Sequence, residues 1–236
     1  MNLEREELAR ISSAPWFDDM QKVELSIIGL GGIGSYVSFA VSRLGVKSLN
    51  IFDGDVIEKV NMTGQLFSIK DIGTTKSETM GKFINNYSNM AVNQYDMFLF
   101  DEYPMSNIVI CGVDSMDVRK KAFNQWFKEN TDNSGQLNPG CLFIDGRLAA
   151  ESLQVFAIQN KEDAETYKNM HLFDDSEADE VICSYKQTTY SAMMIGSIIT
   201  NILVNFIFNI SKGKKFRSLP FLTTYECSIM KFETFA

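Results

Sequence analysis

The chain has 236 residues, of which 45% are hydrophobic and 22% charged, as is typical of a globular protein. This length predicts one large domain with a substantial core. A net charge of −8, without a basic face, argues against a protein that binds nucleic acid. The four cysteines form no C-x-x-C pair, and the charged N-terminus has no apolar signal core. Both features predict a reduced, cytoplasmic setting and give no support for a zinc site.

Strands and helices alternate through the first 145 residues, after an N-terminal arm (1–20) with a short charged helix. Hydrophobic periodicity predicts strands at 23–28, 47–53, 94–100, 107–113 and 141–145, and helices at 32–44, 75–88 and 116–129. This alternation is typical of an α/β fold in which helices cover both faces of a mainly parallel, Rossmann-like sheet. Residues 23–145 are therefore the predicted nucleotide-binding half.

The second half has a different pattern, which predicts antiparallel strands that extend the sheet. A strand at 152–158 is expected to pair with 141–145 across Gly146, and residues 216–235 form two further strands. The charged residues 160–185, which include an acidic run, are expected to form a long mobile crossover loop. Residues 186–236 are expected to form a C-terminal helix and the last two strands.

The long apolar helix at 187–210 requires a choice between a membrane span and a buried core helix. Its central residues 192–210 are nearly long enough to cross a bilayer. However, Ser197, Asn201, Asn205 and Asn209 form a polar stripe, and these amides would be costly in hydrocarbon. No membrane is therefore expected, and the amides are predicted to bond to neighbouring elements or to a second subunit.

The most informative segment is a glycine loop that follows the first strand. It contains Gly29, Gly31, Gly32 and Gly34 and runs directly into a helix. Glycines at this spacing allow a tight turn, close approach of phosphates and close packing of the helix on the strand. Asp53 ends the second strand, where its carboxylate can accept hydrogen bonds from ribose hydroxyls. A nucleotide is therefore expected near residues 29–55.

Four further motifs follow at defined spacings. They are Asp53-Gly54-Asp55, Asn61-Met62-Thr63-Gly64-Gln65, Gly73-Thr74-Thr75-Lys76 and Asp114-Ser115-Met116-Asp117-Val118-Arg119. With the glycine loop, this ordered set resembles the adenylyltransferases of the ThiF/MoeB type and the adenylation halves of ubiquitin-activating enzymes. The resemblance covers residues 23–130 well and continues more loosely through Asp145-Gly146-Arg147 and the helix after Cys183.

The resemblance implies ATP and Mg²⁺ as cofactors, and a homodimer for which helix 187–210 is one candidate interface. The implied reaction adenylates the C-terminal carboxylate of a small ubiquitin-like or sulfur-carrier protein. The implied nucleotide-binding residues are Gly29, Gly31, Gly32, Gly34, Asp53, Asp55, Asn61, Gln65 and Lys76. Lys76 would neutralise phosphates and Asp114 would coordinate magnesium. Arg5 is a candidate for an arginine that the N-terminal arm supplies, and Cys183 for a thioester or persulfide cysteine.

Simpler structural roles remain open for several of these residues. Lys76 can be an exposed lysine at a helix start, and Asp114 can be a helix N-cap. Arg119 is expected to pair with an acid rather than to act in catalysis. Cys183 can be a small hydrophobe, as is expected of Cys111 and Cys141 in the core, and His171 is expected at the surface. These alternatives decide how many of the motif residues belong to one site.

The departures from the family pattern leave other functions open. Gly64 stands where the family has an arginine, and the zinc-binding cysteine pairs common in the family are absent. The chain can therefore be a catalytically impaired nucleotide-binding partner subunit, or adenylate a small-molecule or RNA-attached carboxylate. A nicotinamide-dependent oxidoreductase would share the glycine loop and Asp53, but it would not explain Asn61, Gln65, Lys76 and Asp114 together.

Overall fold

The computed structural model describes residues 3–97, 103–173, 188–213 and 216–236, with side chains described from residue 6 onward. The strands are β1 (Glu24–Ile28), β2 (Ser48–Phe52), β3 (Ala91–Tyr95), β4 (Ile108–Cys111), β5 (Leu142–Ala149), β6 (Ser152–Ile158), β7 (Leu222–Glu226) and β8 (Lys231–Phe235). The α-helices are α1 (Phe17–Met20), α2 (Gly32–Ser42), α3 (Lys76–Asn85), α4 (Met116–Glu129), α5 (Lys161–Met170) and α6 (Thr189–Lys212). Short 3₁₀ helices occur at Leu3–Leu8, Lys59–Thr63, Ile69–Asp71 and Cys227–Ile229.

The strands of the described residues form one eight-stranded sheet in the order β3-β2-β1-β4-β5-β6-β7-β8. Strands β1 to β5 pair in parallel, and β6, β7 and β8 continue the sheet with antiparallel pairs. The predicted α/β fold, mainly parallel with an antiparallel C-terminal extension, is confirmed. Because β1 lies between β2 and β4, the strand order reverses there, and the carboxyl end of β1 is where ligands bind in open α/β sheets.

Helices cover both faces of the sheet and enclose two hydrophobic cores. Helices α2, α3 and α6 contribute to one core, and α4 and α5 to the other. Strand β1 supplies both cores by alternation: Leu25 and Ile27 point to the first, and Ile28 to the second. This two-sided burial explains why β1 reads as a nearly continuous apolar run.

The second half differs from expectation in two places. Residues 161–170 form helix α5 where a mobile loop was expected, because Asn160 caps its N-terminus and Ala164 and Tyr167 are buried. Strand β5 continues through Gly146, and the chain turns instead at Ala150, which has a φ of 54°. A side chain at Gly146 would meet Ile199, since an ideal Cβ lies 2.8 Å from the Ile199 Cδ1. The rest of the predicted crossover loop, 174–185, lies outside the described residues.

Helix α6 is long and apolar enough to cross a membrane by length and composition, but 61% of its most apolar window is buried inside the protein. It packs against α2, and an ideal Cβ at Gly196 lies only 3.1 Å from the Tyr36 Cβ. The Asn209 amide accepts hydrogen bonds from the backbone N–H groups of Phe216 and Arg217. Asn209 therefore bonds to a neighbouring segment, which is one of the two kinds of partner that the polar stripe of a buried core helix predicted.

Candidate nucleotide site

The glycine loop brings β1 and α2 into unusually close contact. An ideal Cβ at Gly34 would lie 1.8 Å from the Gly29 carbonyl oxygen, so only glycine allows this approach. Gly29 itself has a φ of +84°, and an ideal Cβ there would lie 2.9 Å from the Val113 Cγ1. In contrast, nothing lies closer than 3.9 Å to the ideal Cβ of Gly31. The loop is therefore held tightly at both ends and leaves open space at Gly31, where a phosphate would approach the backbone.

The N-terminus of α2 opens on this space without a side-chain cap. Gly31 is the N-cap residue and offers no side chain to the first N–H groups of the helix. Free N–H groups and the positive end of the helix dipole favour an anion at this position. Together with the open loop, they make this end of the site suitable for an anion.

Asp53 holds the loop in shape from the end of β2. Its Oδ2 accepts a hydrogen bond from the Leu30 N–H at 2.7 Å, and its Oδ1 accepts one from the Asp55 N–H at 2.8 Å. The side chain is almost fully buried, and burial raises the pKa of the Asp53 carboxyl while nearby Lys76 opposes that rise. Each oxygen keeps acceptor capacity, so the carboxylate can still accept from a ribose hydroxyl.

Lys76 is buried and lies between two carboxylates. Its residue exposure is 6%, and its Nζ lies 2.6 Å from the Asp55 Oδ2 and 3.8 Å from the Asp53 Oδ1. The exposed helix-start alternative for this lysine is therefore wrong, although Lys76 is indeed the first residue of α3. Lysine side chains are rarely buried unless they are paired. Lys76 is paired, and its ammonium is held beside the carboxylate that orders the glycine loop.

Gln65 lies beside the loop, whereas Asn61 has a local partner. The Gln65 Nε2 lies 3.9 Å from the ideal Cβ position of Gly31, and its buried Oε1 has no hydrogen-bond partner among the residues that the structure describes. The Asn61 Oδ1 accepts from the Glu58 N–H in a reciprocal cap of the 3₁₀ helix at 59–63. The structure therefore brings Gln65 to the site and gives Asn61 a structural role there.

Asp114 follows β4 on the other side of the loop. The helix cap of α4 is Ser115, whose Oγ accepts from the Val118 N–H at 3.3 Å, so the N-cap alternative for Asp114 is wrong. Asp114 is exposed and forms no hydrogen bond or ion pair with any residue that the structure describes. Its neighbour Val113 contacts Gly29, so this carboxylate lies at the same sheet edge as the loop.

The residues fit a magnesium ion that is shared with phosphates. In the described part of the chain, no group of three histidine, cysteine or acidic side chains can hold a metal alone. Magnesium usually takes one or two carboxylates and completes its shell with phosphates and water, so Asp114 suffices as the protein ligand. Among the described residues, the site contains the carboxylates of Asp53, Asp55 and Asp114 against the ammonium of Lys76, so a bound triphosphate would need added cations.

Arg119 pairs with an acid, as predicted, and the acid is Asp145. The Arg119 Nε lies 2.7 Å from the Asp145 Oδ1, and the carboxylate also contacts Arg147 and Tyr167. Asp145 belongs to the looser part of the family resemblance, but neither its pairing with Arg119 nor the role of Tyr167 was predicted, although a lone aspartate inside an apolar strand was a visible signal. Burial and this carboxylate raise the pKa of the Cys111 thiol to about 12, which fits its predicted core position.

Two predicted residues cannot be located at the site. Cys183 lies outside the described residues, and the side chain of Arg5 lies outside the described atoms of the 3₁₀ helix at Leu3–Leu8.

His171 is half-buried rather than at the surface, and its ring lies 4.6 Å from the Phe156 ring. The geometry therefore joins the glycine loop, Asp53, Asp55, Gln65, Lys76 and Asp114, and their roles toward a nucleotide stay predictions.

Comparison with known sequences finds similarity across the chain. The model of the ThiF family matches residues 5–236. The chain is 25% identical over 130 residues to ubiquitin-like modifier-activating enzyme 5 of Culex quinquefasciatus, covering 48% of this chain and 33% of that protein. It is 34% identical over 105 residues to the Nedd8-activating enzyme E1 catalytic subunit of Drosophila melanogaster, covering 42% and 23%. The matches thus span about a third or less of these relatives.

Solved structures share the fold at low sequence identity. The crystal structure of PaaA superposes with a TM-score of 0.72 at 14% identity, covering 99% of this chain and 73% of PaaA. The structure of E. coli MccB with ATP gives a TM-score of 0.69 at 17% identity, covering 93% of this chain and 65% of MccB. These similarities extend the fold assignment to nearly the whole chain.

Proposed function

The chain belongs to the ThiF family, and on that premise we propose that it adenylates a carboxylate with ATP, the substrate being the C-terminus of a small ubiquitin-like or sulfur-carrier protein. The observation that carries this proposal is the buried Lys76 between Asp53 and Asp55, next to a glycine loop that is open at Gly31. A simple strand–helix turn does not require a buried cation at this position. The names of the relatives, which activate ubiquitin-like modifiers, support the choice of substrate.

The reaction brings a carboxylate to the α-phosphate and expels pyrophosphate, so repulsion between anions is its main cost. The backbone N–H groups at the start of α2 bind phosphate oxygens, and Asp53 accepts from the ribose. The Lys76 ammonium exchanges its contact with Asp55, whose side chain is 54% exposed, for a phosphate oxygen. Asp114 would hold Mg²⁺, which would offset the negative charge of the phosphates.

Exchange of labelled pyrophosphate into ATP tests the proposal. The wild-type chain is expected to exchange when a carrier protein with a free C-terminus is supplied. Lys76→Gln and Asp114→Asn are expected to lower exchange by at least about tenfold, because each removes charge that the transition state needs. Lys82→Gln is the matched control, since Lys82 is an exposed lysine of the same helix that pairs with Glu78. Equal exchange in all four proteins would contradict the proposal.

A second candidate function is that of a catalytically impaired nucleotide-binding partner subunit. Gly64 favours it, because this position lacks the family arginine and the site holds more carboxylates than cations. Such a protein would bind ATP without exchanging pyrophosphate on its own and would gain activity with a second subunit. The first proposal, adenylation of a carboxylate, has further parts. They are a cytoplasmic location, a homodimer and contributions of Arg5 and Cys183 to the site.

A further inference from the structure

A buried carboxylate outside the nucleotide site connects two parts of the molecule. Asp145 has no exposed surface and lies on β5, one strand beyond β4. Its Oδ1 accepts from the Arg119 Nε at 2.7 Å, and its Oδ2 accepts from the Arg147 Nε at 2.7 Å and the Tyr167 hydroxyl at 2.9 Å. Buried ion pairs contribute little net stability compared with apolar packing. Stability alone therefore gives little reason for this arrangement.

One end of the arrangement reaches the nucleotide site through Arg119. While its Nε donates to Asp145, its Nη2 donates to the backbone carbonyl of Val113. A guanidinium is planar and rigid, so two bonds from one fork fix the position of both acceptors. Val113 precedes Asp114 directly, and its side chain faces Gly29. The backbone that carries the candidate magnesium ligand is therefore fixed by a pair that is itself buried.

The other end reaches the end of helix α5. The Arg147 Nη2 donates to the His171 carbonyl at 2.8 Å, and its guanidinium lies 4.7 Å from the centre of the Phe156 ring. Tyr167 of α5 is buried and bonds to the same carboxylate. The end of α5 and the turn at Asp114 thus share one anchor.

We propose that the buried Arg119–Asp145 pair positions Asp114 for its contact with Mg²⁺ and nucleotide. This inference rests on the proposed function for the role of Asp114. Because Asp114 has no partner of its own among the described residues, its carboxylate depends on the fixed backbone before it for its direction. Arg119 and Asp145 are positioning residues and do not contact the reacting atoms.

The test measures how strongly Mg²⁺ improves nucleotide binding, with the dissociation constant of a fluorescent ATP analogue determined with and without Mg²⁺. Asp114→Asn is expected to abolish the improvement. Arg119→Lys keeps a positive charge near Asp145 but loses the planar fork, so the improvement should fall at least threefold while the Mg²⁺-free constant stays within twofold. The double variant Arg119→Gln/Asp145→Asn replaces the ion pair by two amides and should behave like Arg119→Lys.

A control separates positioning from general loss of stability. Asn209→Ala removes hydrogen bonds at the far end of α6 and should lower the melting temperature without changing the effect of Mg²⁺. If Arg119→Lys does not fold, the double variant carries the test. If folded Arg119 variants keep the wild-type response to Mg²⁺ while Asp114→Asn loses it, the inference is overturned but the proposed function is not. A wild-type chain without any affinity for adenine nucleotides would instead overturn the proposed function.

Discussion

Two glycines of the loop should respond oppositely to substitution by alanine. At Gly34 the new Cβ would lie 1.8 Å from the Gly29 carbonyl oxygen, whereas real Cβ atoms essentially never approach other atoms within 3.0 Å. Helix α2 must then move away from β1 by more than about 1 Å, and overpacking of this kind costs about 1–3 kcal/mol or more. Alanine recovers about 1 kcal/mol through its helix propensity. Because the clash is with backbone, we expect a net loss of about 2 kcal/mol.

At Gly31 the same methyl group meets nothing closer than 3.9 Å, and the φ of −69° lies outside the left-handed region that favours glycine. Alanine is a poorer N-cap than glycine, but it also restricts the unfolded chain, which stabilises by about 0.4–1 kcal/mol. The free energy of unfolding should therefore stay within about 1 kcal/mol of the wild-type value. The methyl group does fill the space where a phosphate would lie, so affinity for ATP should fall at least tenfold, or about 1.4 kcal/mol.

Thermal and urea unfolding followed by circular dichroism, with ATP binding measured by calorimetry, check both variants. Gly34→Ala should lower the melting temperature by about 4–8 °C, given about 2–4 °C per kcal/mol for a chain of this size. The reasoning fails if Gly34→Ala is as stable as the wild type. It fails equally if Gly31→Ala binds ATP with unchanged affinity, because the open loop would then not hold phosphate.

Three further predictions concern the fold around the site. In a urea titration, Asn209→Ala should reduce the free energy of unfolding by about 2–3 kcal/mol, because two backbone N–H groups lose their acceptor. The control Asn201→Ala, on the exposed face of α6, should change the free energy of unfolding by less than about 0.5 kcal/mol. Ser115→Ala should cost about 1 kcal/mol, since it removes the side-chain cap of α4; a value near zero in thermal unfolding would speak against that cap. Cys111, with its pKa raised to about 12, should resist iodoacetamide at pH 8 and react only as the pH approaches 12 or the chain unfolds, whereas half-buried Cys227 should be labelled before Cys111 in a mass-spectrometric time course.

The parts of the fold that follow from local pattern were predictable from the sequence. Helix α4 occupies the predicted residues 116–129, because its buried residues recur at helical spacing, although its cap is Ser115 and not the neighbouring Asp114. Strands β1, β2, β4 and β5 were equally visible as apolar runs. The predicted bounds of β3, 94–100, were wrong, because this edge strand lies at Ala91–Tyr95 and its residues are polar or mostly exposed. Helix α5 was missed because it is rich in charge and buries only Ala164 and Tyr167, which leaves little periodicity in its sequence.

Within the site, the sequence identified residue types better than environments. The motif placed Lys76 near phosphates, but its burial depends on Asp53 and Asp55, which lie more than twenty residues earlier in the chain. The acid that pairs with Arg119 could be expected but not identified, since Asp145 comes from the neighbouring strand, 26 residues away. Contacts of this kind arise from the order of strands in the sheet, which single-sequence patterns specify only in outline.

Calorimetric binding of Mg·ATP to the wild-type chain, run beside NADH under the same conditions, tests the central claim most directly. The account predicts saturable binding of one ATP per chain that weakens when Mg²⁺ is withheld, and much weaker binding of NADH. Saturable binding of NADH without binding of ATP, or no binding of either nucleotide, would contradict it.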